Sequence, residues 1–134
     1  MKDKKNNIQR LTRAEEQVMQ ILWDLNEAVV KDLVDHFHDP KPAYTTVATV
    51  LKVLEKKGFV TYRKIGNTHL YSHAIGKAEY SKFQLSNLLV NYFNGSYPKM
   101  ATFFARMNDL SIRELEEMIT QTEEELEKEK TEMK

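Results

Sequence analysis

The 134-residue chain has no cysteine, which excludes disulfides, zinc fingers and thiol-based metal sensing. It has no net charge either: 20 Lys and Arg balance 20 Asp and Glu, so the bulk charge excess of many nucleic-acid binders is missing. No stretch approaches the roughly 20 apolar residues needed to span a bilayer. The N-terminus, Met1 to Asn7, is charged and lacks the apolar run of a secretion signal. A soluble, cytoplasmic chain with no membrane insertion is the expectation. A nucleophile–base arrangement, a Gly-rich phosphate loop and a metal-ligand cluster are all absent from the sequence, so no enzyme and no cofactor is expected. His36 and His38, beside a proline turn and without cysteine, are read as surface residues rather than as a metal pair.

What is present is one core's worth of apolar residues, 41% of the chain, with room for a small helical appendage that needs a partner. Charge is distributed unevenly. Residues 1–75 hold 12 Lys and Arg against 9 Asp and Glu, net +3, and all four histidines; residues 76–134 hold 8 against 11, net −3. A cationic front suits contact with phosphate.

Thr12 and Glu15 have the spacing of a capping box, and Val18, Met19, Leu22 and Leu25 follow at helical period, with Trp23 at the core edge. Asn26-Glu27-Ala28 breaks the pattern, and Val30, Leu33, Val34 and Phe37 predict a short second helix. Pro40 and Pro42 mark a connector. The third helix carries Val47, Val50, Leu51 and Leu54 at i, i+3, i+4 and i+7 on one face and Thr45, Thr49, Lys52 and Lys56 on the other. Gly58 stops it. Phe59 to Lys64 and Thr68 to Ser72 then read as two strands joined by Gly66-Asn67.

A helix that runs directly into a hairpin is the order of a winged helix-turn-helix. The expected fold is therefore mainly α with a small antiparallel β-hairpin wing. Residues 1–75 form the DNA-binding domain, and residues 76–134 a helical dimerisation region. Candidate DNA contacts on the recognition helix are Tyr44, Thr45, Thr46, Ala48, Thr49, Lys52 and Lys56, and on the wing Arg63, Lys64, Asn67 and His69. Threonine hydroxyls and methyls can meet base edges, whereas the lysines and the wing suit phosphates. No Arg is placed for bidentate reading of guanine, so specificity would lean on dimer symmetry and DNA shape.

After Gly76 only helices are expected. Tyr80, Leu85, Leu88, Leu89, Tyr92 and Phe93 make a broad apolar face; Met100, Phe103, Phe104 and Met107 a second. Ser111 and Glu114 box the start of a third, striped by Leu115, Met118, Ile119, Thr122 and Leu126, whose Glu-rich end is expected to fray. So many large apolar residues on thin helices call for a second copy. The candidate dimerisation residues are Leu85, Leu88, Leu89, Tyr92, Phe93, Phe103, Phe104, Leu115, Met118 and Ile119.

The segments A-E-x-x-V-M-x-x-L-W (Ala14 to Trp23) and T-V-x-T-x-L-x-x-L-x-K-K-G (Thr46 to Gly58) resemble the penicillinase-repressor family of BlaI and MecI, across nearly the whole DNA-binding half. The resemblance implies a homodimeric winged-helix repressor on a palindromic double-stranded operator. It also implies release by proteolysis of the C-terminal region, downstream of a membrane sensor with a metalloprotease domain. The matching segment is Ala101 to Ala105, with Phe103-Phe104 where the best-known members have Asn-Phe. The family's copper-responsive branch uses a cysteine motif that this chain lacks. The alternative function is a winged-helix module that binds a protein partner or a small effector without operator recognition.

Overall fold

The computed structural model describes residues 8–133; the Met1 to Asn7 segment, on which the expectation of no secretion signal rests, lies outside them. Helix α1 (Arg13–Leu25) begins at the expected box: the Thr12 hydroxyl accepts from the Glu15 amide and the Glu15 carboxylate accepts from the Thr12 amide. Val18, Met19 and Leu22 of its inner face are buried. Asn26, at positive φ, ends the helix and turns the chain into β1 (Glu27–Ala28). The break expected at Asn26 to Ala28 is thus partly a strand. Helix α2 (Val30–Asp35) is shorter than the apolar pattern to Phe37 suggests. The amides of His36 and Phe37 bond back to Leu33 and Val34, tightening the last turn, and Lys41 donates to the Asp35 and Phe37 carbonyls.

Helix α3 (Tyr44–Lys56) keeps its helical form despite its Thr and Val content, because Val47, Leu51 and Leu54 on one face are fully buried. Gly58, at φ +83°, then redirects the chain so that Phe59 and Val60 are buried as β2 (Val60–Ile65) begins. Strand β3 (Thr68–His73) returns antiparallel with Lys64 opposite His69 and Tyr62 opposite Tyr71. Only Gly66 of the connecting pair has positive φ, the pattern of a turn with glycine at its first central position. β1 adds to the other edge of β3, giving the order β1-β3-β2.

Helix α4 (Lys77–Phe93) contributes its first turns to the same core. Tyr80 is buried against Trp23, Phe59 and Phe83, and its hydroxyl accepts from the Leu11 amide at 2.9 Å. This corrects its placement with the Leu85 to Phe93 face: Tyr80 belongs to the first core. Trp23 Nε1 donates to the Ile75 carbonyl, which ties α1 to the approach of α4.

The chain divides into two compact units, one ending at Ser86 and the other starting at Asn87. The second unit holds the end of α4, α5 (Tyr97–Met107) and α6 (Ile112–Glu132). Ser96 caps α5, and Ser111 with Glu114 forms the predicted box on α6. α6 is helical through its glutamates as far as Glu132. Neither α5 nor α6 has a buried residue.

Candidate nucleic-acid interface

The outward surface of α3 is where the expected reading residues fall. Thr45, Thr46, Thr49, Lys52 and Lys56 are all exposed, and Tyr44 is 57% exposed at the first turn. Ala48 differs from them: it is half-buried and packs against the core. The Thr49 hydroxyl donates to the Thr45 carbonyl at 2.9 Å, so its lone pairs and methyl remain outward while its proton is engaged. Lys57 at the helix end takes no part in this surface. Its ammonium lies 2.7 Å from the buried Glu15 carboxylate, and the pair fixes the end of α3 to the start of α1. Lys52 and Lys56 form no ion pair among the described residues.

The wing separates the expected contacts into two sets, because side chains alternate across a strand. Tyr62, Lys64, His69 and Tyr71 share one face, as their cross-strand pairing requires. On it the Tyr62 and His69 rings stack with centroids 4.1 Å apart, and Tyr71 lies beneath them at 5% exposure. Burial pushes the Tyr71 phenol up, and the nearby charges of Glu55, Tyr62 and Tyr44 act in the same direction. Tyr71 belongs to the same buried cluster as Val47, Leu51 and Leu54 of α3, so this is the wing face turned toward α3. Arg63 is on the opposite face, where its guanidinium is 4.0 Å from the Glu27 carboxylate of β1. The structure thus groups Lys64 and His69 with one another and not with Arg63. Asn67 stands in the exposed turn. Tyr62 is not among the contacts predicted from the sequence, although its parity with Lys64 along the strand places it on the same face.

No group of three or more His, Asp or Glu side chains able to hold a metal is found among the described residues. His36 donates from Nδ1 to the Asp32 carbonyl at 2.8 Å. No helix is long and apolar enough to cross a membrane among the described residues.

This layout, a helix with a hydroxyl and lysine outer face followed by a hairpin, falls within a stretch, residues 11–124, that matches the penicillinase repressor family. The chain belongs to that family. Among its relatives is the "Penicillinase repressor" of Bacillus licheniformis, 27% identical over 122 residues that cover 87% of this chain and 92% of that protein. The "Methicillin resistance regulatory protein MecI" of Staphylococcus aureus (strain N315) is 24% identical over 114 residues, 84% of this chain and 93% of that protein. The MecI protein of Mammaliicoccus sciuri is 23% identical over a stretch of the same length. Membership of the penicillinase-repressor family makes this chain a transcriptional repressor rather than an enzyme. The winged fold and the mainly helical content agree with that class.

The residues assigned to self-association lie mostly open; Leu85 falls at the end of the first unit and the others in the second. Leu85, Leu88, Tyr92, Phe103, Phe104, Met118 and Ile119 are each at least two-fifths exposed, while Phe93 and Leu115 are half-buried. Leu89 departs from the set, at 8% exposure within the chain. Phe93 meets Phe103 with ring centroids 5.5 Å apart.

Proposed function

We propose that this repressor acts as a homodimer that places two copies of α3 in successive major grooves of a palindromic operator. The observation that carries the reading is the outer face of α3: Thr45, Thr46 and Thr49 at its N-terminal half, and behind them Lys52 and Lys56, which form no ion pair among the described residues. Short hydroxylated side chains at the start of such a helix meet base edges, and lysines further along meet phosphates. Lys64 and His69 on the wing face nearest α3, with Asn67 at its tip, contact the backbone. Residues 1–75 provide recognition, and residues 76–134 provide pairing of two copies. Exposure of Leu85, Leu88, Tyr92, Phe103, Phe104, Met118 and Ile119 supports that pairing, since water contact for so many large apolar groups is costly.

Release follows from cutting α5 at Phe103-Phe104, which are 49% and 45% exposed, by a protease under the control of a membrane sensor. The mass of the intact repressor in induced cells tests this step, and an unchanged mass throughout induction argues against it.

Operator recognition is tested by fluorescence anisotropy on DNA from upstream of the repressor's own gene across a salt series. Lys52→Ala should weaken binding to all sequences and reduce the salt slope by about 0.9 for each phosphate contact removed, once per protomer. Thr49→Ala should change sequence preference and leave the slope alone. If both variants bind like the wild type, α3 is not the reader. A wild type that ignores this DNA in moderate salt would instead favour a protein or effector-binding role.

A further inference from the structure

Two helices of the second unit carry the same arrangement of residues with opposite charge. On α5, Lys99 precedes Met100 and Arg106 precedes Met107; on α6, Glu125 precedes Leu126, and Glu132, the last helical residue, precedes the capping residue Met133. Each pair of charges is seven residues apart, about 10.5 Å along a helix axis, and so stands on one side of its apolar stripe. All four charged side chains are exposed, and none of them belongs to an ion pair among the described residues. By contrast, α6 pairs Arg113 with Glu117 and Lys130 with Glu127 locally. The cations also edge a groove with Phe93, Pro98, Thr102 and Phe103, so an apolar floor lies beside them.

We propose that the Lys99 and Arg106 edge of α5 is the docking surface for α6 of a second copy of this chain, with Lys99 facing Glu132 and Arg106 facing Glu125. The inference rests on the homodimer reading above and specifies its contact. Lys99, Arg106 and Glu125 each lie on the residue just before a stripe position, and Glu132 continues the Glu125 row one heptad further. Flanking positions on the same side of a seam meet only when the two helices run in opposite directions, so α5 and the incoming α6 are antiparallel. Two-fold symmetry repeats the contact, giving four ion pairs per dimer. The charge pattern thereby selects both the occupant and its direction, which an apolar stripe alone does not.

The test uses two full-length variants, Lys99→Glu with Arg106→Glu, and Glu125→Lys with Glu132→Lys, labelled for subunit-exchange fluorescence and checked for helix content by circular dichroism. Each variant alone places like charges at all four contacts and should dimerise about tenfold or more weakly than wild type at low salt. Mixed together they restore attraction at all four and should form the heterodimer in preference to either homodimer. That preference should fade at high salt. Wild-type-like homodimers from both variants, with random mixing, would overturn the contact while leaving dimerisation intact. A monomeric wild type at micromolar concentration would overturn the dimer reading and this inference with it.

Discussion

Replacing Glu15 by Gln tests the polar link inside the first unit. The Glu15 side chain is 8% exposed, and its carboxylate accepts from the Thr12 amide at 2.9 Å and from the Lys57 ammonium at 2.7 Å; the Lys57 side chain is 20% exposed. Breaking a buried ion pair costs about 3–5 kcal/mol, and a hydrogen bond to a charged group contributes about 1.5–3 kcal/mol. Gln keeps an oxygen for Thr12 and Lys57, and the ammonium retains some water, so the loss at neutral pH should be about 2 kcal/mol. Its pH dependence follows from the carboxyl's environment. Burial pushes the Glu15 pKa up, but the hydrogen bond from Lys57, the Thr12 amide and the Lys57 charge together hold it below its ordinary 4.5. A depressed carboxyl contributes stability that is fully present above the unfolded-state value and lost as pH falls through the folded-state value. Urea midpoints of wild type and Glu15→Gln, taken at one protein concentration, should therefore differ at pH 7 and converge as pH falls below about 4.5. Equal midpoints at pH 7, or a gap that stays constant down to pH 3, would refute the assigned role of the pair.

Tyr80→Phe keeps the aromatic contacts but removes the oxygen that accepts from the Leu11 amide, leaving that buried donor alone. Urea unfolding should show a loss of about 1–3 kcal/mol, and an unchanged midpoint would mean the amide finds water. Gly66→Ala forces a side chain onto φ +61° and should cost about 1–2 kcal/mol, with faster amide exchange confined to β2 and β3. Uniform protection across the hairpin would show that the turn adapts.

The parts of the fold that are legible in the sequence rest on local signals. The Thr12 and Ser111 boxes depend on residues three apart, α3 on a 3.6-residue period, and the hairpin on Gly66-Asn67. What stays hidden depends on distant partners. Glu27 and Ala28 become a strand only because Ser72 and Tyr71 lie alongside. Tyr80 joins the first core because Leu11 and Trp23 await it, although its spacing fits the apolar face that follows. On the proposed recognition surface, the outward set of α3 is readable from period alone. The tie between Lys57 and Glu15, separated by 42 residues, is not, and it removes one of three consecutive-looking cations from the surface. Arg63 lies on the opposite wing face from Lys64 and His69 by strand parity, which is visible in the sequence once the register is known.

Thr49 has committed its proton to the Thr45 carbonyl, and in the operator complex proposed above this would narrow the chemical vocabulary of α3 at that position. An oxygen with only lone pairs to offer suits the exocyclic amines of adenine and cytosine, and its methyl suits the 5-methyl of thymine, while guanine's O6 and N7, both acceptors, gain nothing from it. An operator read through this residue would therefore favour A, C or T over G at the matching step.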